Sequence, residues 1–413
     1  MNAQSPSSFA DPAVQRCPFP FIDRLHAESP VYRDPVTGFF VVTRYADVAL
    51  VNADPALFSN KTTLLISKAH SPNATEIERR FRENGFPRIH TLVSNDPPDH
   101  GRYRAVVDKV FAPSFVRSLE PGITAIADAL IDALPEAGTV DLLHEYCLKI
   151  PMFVICDQLG VPREMWRQFK AWSDAEIEMI NPAIDPVREL ELADLLVEAQ
   201  NYLYDRAREY QREPADKLLS MVANSEVDGR PIAPAEIVAI AEQLLVAGNE
   251  TTTSAIAIAL WKLIDEPALA QTLREQPEKI GTFCEEILRL HAPSPHLYRE
   301  VLADTELGGV ALPKGAIVQV SYLAANRDEA QFACPAELNL DRKGVKNHLA
   351  FGRGIHFCIG NQLARAEMRI AVGRLLERID GLAFAPGKPR PQFAALYHVH
   401  TLDSLDVTYA ARR

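Results

Sequence analysis

Apolar residues recur at three- and four-residue spacing along most of the chain, which is the pattern of amphipathic helices. The clearest such segments are 113–134, 142–160 and 188–211. Short runs typical of β-strands occur near 39–43, 298–320 and 393–408. No internal repeat or low-complexity linker separates these segments. The pattern therefore predicts a mainly α protein with a minor β portion.

The longest predicted helix covers residues 235–266 and is bounded by Pro234 and Pro267. Proline is typical of the first turn of a helix and of the residues just after its end. This segment is apolar on nearly every side, so we expect it to run through the middle of the molecule.

Within this helix lies AGNETT, residues 247–252. Gly248 costs about 1 kcal/mol relative to alanine in a helix interior. Thr251 can donate its hydroxyl to the carbonyl of Ala247, which bends or opens a helix, and Glu250 supplies an acid beside that alcohol. The segment is a candidate site of proton delivery. The simpler alternative is a tolerated weak turn, or a close helix contact at Gly248.

Composition and charge narrow the classes of function. Of the 413 residues, 47% are hydrophobic and 24% charged, as in ordinary globular proteins. The net charge of −12 argues against nucleic acid as the main partner, and no apolar run reaches the ~20 residues of a membrane span. Residues 1–20 lack the pattern of a secretion signal. We expect a flexible tail there and one domain over 21–413.

The six cysteines form neither a CxxC pair nor a zinc-like spacing. A disulfide framework is not expected in so large a core, and these thiols point to a reducing cytoplasm. All but Cys358 need no explanation beyond packing.

Cys358 lies in FGRGIHFCIG, residues 351–360. A zinc site needs three or four ligands, and a nucleophile needs a positioned base, whereas only His356 is near. A buried structural cysteine needs no surrounding glycines. A thiolate ligand to one large, flat cofactor fits, because glycines let the backbone turn tightly beneath it and the following helix start stabilises negative sulfur. Thiolate-ligated haem matches that description.

The chain resembles the soluble bacterial cytochrome P-450 monooxygenases. Their signature F-G-x-G-x-H-x-C-x-G is matched at every fixed position, by Phe351, Gly352, Gly354, His356, Cys358 and Gly360. The resemblance covers nearly the whole chain. It implies the cytochrome P-450 fold, a triangular prism with a long central helix over the haem. The implied cofactor is haem b, with Cys358 as the iron ligand.

Further motifs follow in the family's order. AGNETT resembles the oxygen-activation motif, with Ala247 and Gly248 beside the haem, Glu250 as the acid and Thr251 as the alcohol. The resemblance makes Glu286 and Arg289 of EEILR a fold-stabilising ion pair, with Arg342 as the candidate arginine that joins it. The residues implied to hold the haem propionates are His100, Arg104, Arg299 and His356.

The implied activity is insertion of one oxygen atom from O2 into a small lipophilic substrate. No segment is left over for a flavin or iron–sulfur module, so the electrons come from a ferredoxin and an NAD(P)H-dependent ferredoxin reductase. We expect a monomer. The candidate docking residues are Lys109, Arg117, Arg353, Arg365 and Arg369, for which an ordinary solvated helix face is the alternative.

The family's substrate positions give an apolar set that suits a terpenoid, a steroid or an aromatic compound. These residues are Ile89, Leu92, Leu244, Val246, Leu297 and Leu396. Arg88, His90 and Gln243 interrupt the set with polar side chains. Arg88 can grip a substrate carboxylate, but facing solvent or holding a propionate is the preferred interpretation.

Three rival functions remain open. A hydrogen-peroxide-dependent peroxygenase is disfavoured by the Glu250–Thr251 pair, which such relatives lack. A non-catalytic haem sensor or carrier is disfavoured less strongly by the same pair. A helical scaffold with a structural cysteine predicts a colourless protein.

Overall fold

The computed structural model describes residues 8–62, 71–136, 138–179 and 184–411. Its α-helices, in chain order, are α1 (Pro12–Arg16), α2 (Phe19–Glu28), α3 (Tyr45–Ala53), α4 (Ala74–Asn84), α5 (Asp99–Val110), α6 (Pro113–Asp132), α7 (Lys149–Leu159), α8 (Trp166–Met179), α9 (Pro186–Arg212), α10 (Leu218–Ala223), α11 (Pro234–Asp265), α12 (Pro267–Glu275), α13 (Ile280–His291), α14 (Tyr322–Ala325) and α15 (Asn361–Arg378). A π-helical turn covers Leu143–Cys147. Short 3₁₀ turns cover Arg163–Met165, Pro277–Lys279, Val345–Asn347 and Gly354–His356.

Most of the described strands are shorter than most of the helices. They are β1 (Val31–Arg33), β2 (Phe40–Val42), β3 (Phe58–Ser59), β4 (Thr139–Asp141), β5 (Glu226–Val227), β6 (Arg230–Pro231), β7 (His296–Val301), β8 (Thr305–Leu307), β9 (Val310–Leu312), β10 (Ile317–Ser321), β11 (Ile379–Phe384) and β12 (Asp406–Ala411). The prediction of a mainly α protein with a minor β portion is therefore confirmed.

The largest sheet has the strand order β1-β2-β10-β7-β3. Strand β10 runs parallel to β2 and antiparallel to β7, where Val318 is the register partner of Arg299. A second sheet has the order β11-β12-β4, and β5-β6 and β8-β9 form two-stranded sheets. The backbone of Arg299 is therefore held in register with β10, inside the large sheet.

The chain divides into two compact units. The first comprises the described residues up to Phe58, Leu119–Pro151 and the residues from Glu250 onward. Its core is built on the large sheet, where Val41, Val42, Val318 and Val320 are fully buried. Branched apolar residues suit such a pleated, buried surface.

The second unit comprises Ser59–Ser118 and Met152–Asn249. Helices α4, α8 and α9 form an apolar cluster there, with Phe81, Met179 and Leu196 among its buried members. The side chain of Asp185 caps α9 by accepting bonds from the amides of Val187 and Arg188. This cap explains why the helix begins two residues before the predicted segment 188–211.

The N-terminal segment departs from a simple tail where the structure describes it. Of the proposed tail 1–20, residues 8–20 are described, and they contain α1 and the start of α2. Phe9 and Val14 are buried in the core of the first unit. Phe9 contacts the ring of Phe21 edge-on, with 5.0 Å between the centroids. These apolar side chains hold the segment in place, and the prediction of a flexible tail did not take them into account.

Helix α11 agrees closely with the predicted helix 235–266. It remains helical through residues 247–252, so AGNETT does not break it. Ser254 Oγ donates to the carbonyl oxygen of Glu250, four residues earlier, at 2.7 Å. Among the described residues, no helix has the length and apolar character needed to cross a membrane.

Candidate functional site

The loop that carries Cys358 depends on two glycines in left-handed backbone conformations. Gly352 has φ +68° and Gly354 has φ +76°, which side chains other than glycine rarely adopt. A Cβ atom on Gly354 would also lie 2.3 Å from the carbonyl oxygen of Asn52. The Cys358 amide donates to the carbonyl of Phe351 at 2.9 Å and closes the loop. The backbone therefore turns tightly around the cysteine, as the sequence predicted.

A series of polar contacts holds the end of the same loop, at the carbonyl of Cys358. The Asn361 side chain donates to the Cys358 carbonyl at 2.7 Å and accepts from Arg365 at 2.6 Å. Arg365 in turn contacts both oxygens of Glu285, which also bonds His348. Burial alone would raise the pKa of Glu285, but the bonds from His348 and Arg365 outweigh it and lower the pKa to about 2. Glu285 is therefore a carboxylate at neutral pH.

The surroundings of Cys358 fit a single-thiolate cofactor. Cys358 forms no disulfide and is half-buried, and the neighbouring side chains of Ile355 and Phe357 are 36% and 39% exposed. A large flat apolar group can cover such side chains. In the described ranges, no cluster of three or more His, Cys, Asp or Glu side chains could hold a metal ion. Iron beside Cys358 would therefore have to bring its other ligands with it, as haem does.

Glu250 and Thr251 lie together on α11, in the first unit. The next residue, Thr252, bonds the side chain of Glu367 on α15. Glu367 is 2% exposed, and burial raises its pKa to about 8 despite that bond. The sequence reading missed Glu367, Glu285 and Asn361. An acid among the apolar residues of α15 was the available signal for Glu367.

Glu286, Arg289 and Arg342 meet in the interior of the first unit. Arg289 Nε lies 2.6 Å from Glu286 Oε1, and Arg342 Nε lies 3.0 Å from the same oxygen. Burial would raise the pKa of Glu286, but the bonds from Arg289 and the arginine charges lower it. Glu286 and Arg289 are fully buried, and Arg289 also donates to the carbonyls of Asn326, Pro335 and Glu337.

Two of the residues assigned to haem propionates lie in the first unit. Arg299 on β7 is 3% exposed and donates to Asn52 Oδ1 at 2.8 Å and to the Tyr298 carbonyl at 2.7 Å. Asn52 is the residue whose carbonyl approaches Gly354, so Arg299 is tied to the cysteine loop through Asn52. His356 lies in the loop itself, in the 3₁₀ turn before Cys358.

The other two residues assigned to haem propionates, His100 and Arg104, lie on α5, in the second unit. His100 is 4% exposed, and burial together with the positive charge of Arg104 lowers its pKa. Arg104 Nε donates to Asp108 at 2.7 Å. Ala247 and Gly248 belong to this unit as well; Ala247 is exposed, and a Cβ at Gly248 would meet Ile155 at an ordinary 3.7 Å.

Most of the predicted substrate residues belong to the second unit. Gln243 bonds Thr91 Oγ1 and accepts from the amide of Val93 at 3.0 Å, so it ties the loop 86–95 to α11. His90 Nδ1 lies 2.7 Å from the Ser94 carbonyl. Leu244 is buried, whereas Ile89, Leu92 and Val246 are half-buried. In the first unit, Leu297 is half-buried and Leu396 is 52% exposed.

Arg88 does not face solvent, which corrects one of the roles considered for it. Its binding of a ligand carboxylate or a haem propionate stays a prediction. Its side chain is 15% exposed, and Nη2 lies 2.5 Å from Glu176 Oε2. The partner is remote in sequence, so local patterns gave no sign of it.

The candidate docking residues divide into two groups. Lys109, Arg117 and Arg353 are exposed. Arg369 is 47% exposed and pairs with Glu120 at 2.9 Å. Arg365 is different, because its side chain is only 19% exposed and is held by Glu285. The expectation that Arg365 presents a surface charge is therefore corrected: it supports the cysteine loop.

Comparisons with known proteins agree with these motifs. The family profile named Cytochrome P450 matches residues 137–394. The chain is 36% identical to Vitamin D(3) 25-hydroxylase of Pseudonocardia autotrophica, over 96% of this chain and 94% of the relative. It is 30% identical to linalool 8-monooxygenase of Pseudomonas putida, over 89% and 90% of the two chains. The structure of cytochrome P450 CYP109Q5 from Chondromyces apiculatus superposes with a TM-score of 0.86 at 32% identity, covering 98% of each chain.

Proposed function

Because this chain belongs to the cytochrome P450 family, we propose that it hydroxylates a small lipophilic substrate with electrons from a separate ferredoxin system. It has the cytochrome P450 fold and is a haem-dependent, hydroxylating monooxygenase. The observation that carries the assignment of the site is Cys358, a half-buried thiol in a glycine loop beside exposed Ile355 and Phe357.

The cofactor in this proposal is haem b, with Cys358 as its iron ligand. His100, Arg104, Arg299 and His356 bind its propionates, because charge-assisted bonds to carboxylates are strong. Gly352 and Gly354 let the chain turn beneath the ring, and Gly360 begins the helix that follows. Haem bound here supplies the activation of O2, which protein side chains cannot perform alone.

The remaining roles belong to residues of this chain. Glu250 gives and takes up protons, and the Thr251 hydroxyl holds water or oxygen in position for that transfer. Glu286, Arg289 and Arg342 stabilise the fold around the cysteine loop. The Asn361–Arg365–Glu285 contacts orient the Cys358 carbonyl and so position the thiol.

The substrate in this proposal is a terpenoid, a steroid or an aromatic compound. The relatives named for vitamin D(3) and linalool support a lipophilic molecule. The apolar side chains at Ile89, Leu92 and Leu244 suit such a ligand. The substrate residues include Val246, Leu297 and Leu396 as well.

The electron donor in this proposal is a ferredoxin served by an NAD(P)H-dependent reductase, in the cytoplasm, where free thiols stay reduced. Lys109, Arg117, Arg353 and Arg369 supply positive charge for docking. Arg353→Glu combined with Arg369→Glu should slow reduction by ferredoxin at low salt, because local charge steers encounter. Unchanged reduction kinetics would argue against this face.

The test of the haem assignment is the reduced, CO-bound spectrum of the haem-loaded protein. We expect the red-shifted Soret band of a thiolate ligand. Cys358→Ala should lose that band, whereas Cys17→Ala, at an exposed cysteine, should retain it. A wild-type protein without the band would refute the assignment.

Catalysis with different oxidants separates the rival functions. Thr251→Ala and Glu250→Gln should each lower ferredoxin-supported product formation by ~100-fold, because general acid–base groups contribute factors of that size. The spectral shift on substrate binding should persist in both variants. Turnover with hydrogen peroxide that does not need Glu250 would favour a peroxygenase, and haem binding without turnover would favour a sensor.

A further inference from the structure

A buried charged cluster lies within the second unit, formed by Arg88, Glu176 on α8 and Glu242 on α11. Arg88 pairs with Glu176 at 2.5 Å, and its guanidinium carbon lies 5.4 Å from the ring centroid of Phe81. Gln200 on α9 bonds the side chain of Glu242. Glu176 and Glu242 are 9% and 7% exposed. Two acids and one arginine leave one acid without a compensating charge.

The cluster has acceptor and donor atoms without hydrogen-bond partners. Within the described ranges, Glu176 Oε1 and Glu242 Oε1 are buried and form no hydrogen bond. The same holds for Ser173 Oγ and Trp172 Nε1. Ser173 lies three residues before Glu176 on α8, and Trp172 four, so all three share one side of that helix. Buried polar atoms are rarely left in this state, and each instance calls for an explanation.

The cluster adjoins the region that the proposed function assigns to the substrate. Arg88 lies in the loop 86–95, and Gln243, next to Glu242, fastens that loop through Thr91 and Val93. The apolar residues of this region can bind a lipophilic ligand, but they do not determine its orientation. A polar group at one end would fix which carbon faces the haem.

We infer that the Arg88–Glu176–Glu242 cluster binds a hydroxyl group of the substrate, which donates to Glu176 Oε1 and accepts from Glu242. This inference rests on the proposed function and specifies its substrate class as a lipophilic alcohol.

The chemistry favours a hydroxyl over the charged alternatives. Burial and the nearby Glu176 carboxylate raise the pKa of Glu242 to about 8, so Glu242 carries a proton at neutral pH. A hydroxyl both donates and accepts, and therefore satisfies a carboxylate and a carboxylic acid together. A substrate carboxylate would face Glu176 with Arg88 already engaged, and an ammonium could not accept the proton of Glu242.

Three matched probes test the inference, namely cyclododecanol, its methyl ether and cyclododecane. Their dissociation constants for the haem-loaded protein are measured from the haem spectrum and, independently of it, by calorimetry. We expect the alcohol to bind about tenfold more tightly than the ether, which lacks the donor. Glu176→Met should bring that ratio near one, because methionine has a similar size and no oxygen to accept the proton of the alcohol. Glu176→Gln, which keeps an acceptor oxygen, should retain part of the preference.

Glu236→Gln is the matched control, because Glu236 on α11 is, like Glu176, a buried acid that pairs with an arginine, in this instance Arg230. This variant should keep the tenfold ratio. Equal binding of alcohol and ether by the wild type would overturn the inference and indicate that the cluster binds water alone; the proposed function would stand. If no probe binds, the inference also fails, and the CO-bound spectrum decides separately whether the haem assignment survives.

Discussion

Arg365 Nε lies 2.6 Å from Glu285 Oε1, so a residue that the sequence assigned to a docking surface is an internal partner of α13. Glu285 is 5% exposed in its side chain and also bonds His348. The ring of Phe351, at the start of the cysteine loop, lies 4.5 Å from the Arg365 guanidinium carbon. Through Asn361, the pair reaches the carbonyl of Cys358.

Arg365→Ala should lower the free energy of unfolding by about 3 kcal/mol, because it leaves a buried carboxylate with one partner fewer. Urea denaturation at neutral pH measures this change. Arg369→Ala is the control on the same helix, since its pair with Glu120 is exposed and should matter by less than about 1 kcal/mol. Equal losses in the two variants would show that Arg365 has no special structural role.

Local sequence patterns were sufficient to predict the elements whose structure depends on residues close to them in the sequence. The helix α11 follows from apolar spacing and flanking prolines, and the loop before Cys358 follows from glycines whose positive φ values only glycine adopts readily. The Glu286–Arg289 pair follows from its spacing on one helix. In each instance the deciding contact lies within a few residues of the motif.

The same local patterns could not predict contacts between residues from distant segments of the chain. Glu285 and Arg365 are 80 residues apart, and Arg88 and Glu176 are 88 apart. One sequence contains no sign that such residues meet, because periodicity describes one element at a time. The sequence therefore identified the charged residues but gave no sign that Arg88 and Arg365 turn inward onto acids of distant segments.

Arg289→Lys should destabilise the protein by about 3–5 kcal/mol, because the planar guanidinium serves Glu286 and three carbonyls that one ammonium cannot reach together. Thermal unfolding and the yield of haem-loaded protein measure the effect. Arg342→Lys provides the comparison and should cost less, because Arg342 contacts one oxygen of Glu286 whereas Arg289 contacts both and continues to pair with it. A fully stable Arg289→Lys variant would contradict this account of the cluster.

Buried histidines should make the protein sensitive to acid. Burial lowers the pKa of His400 to about 3, and burial with the charge of His398 lowers the pKa of His296 to about 3. The folded state therefore takes up fewer protons than the unfolded state between about pH 6.5 and 3, and stability falls as the pH falls through that window.

His400→Phe should reduce this acid sensitivity and keep the ring stacked on Phe393, whose centroid lies 4.0 Å away. Denaturation curves at pH 7 and pH 5 measure the difference between the variant and the wild type. We expect the variant to lose less stability than the wild type on acidification, by up to about 1.4 kcal/mol per pH unit. An identical loss in both proteins would mean that His400 does not contribute.

Glu367 should make the protein less stable as the pH rises, which is opposite to the effect of the buried histidines. Burial raises its pKa to about 8, above the ordinary value of 4.5, so the folded state holds a proton that the unfolded state releases between these values. Stability contributed by this proton is complete below about pH 4.5 and is lost as the pH rises toward 8, by up to about 1.4 kcal/mol per pH unit. Glu242, also raised to about 8, adds a loss of the same sign.

Glu367→Gln keeps a polar side chain beside Thr252 but cannot titrate, so its stability should decline less than that of the wild type between pH 5 and pH 8. Urea denaturation at several pH values within this range gives the slope directly. Glu275→Gln, at an exposed position on α12, should leave the wild-type slope unchanged. If Glu367→Gln and the wild type share one slope, Glu367 is ionised in the folded protein, and its contact with Thr252 joins a hydroxyl to a buried carboxylate rather than to a carboxylic acid.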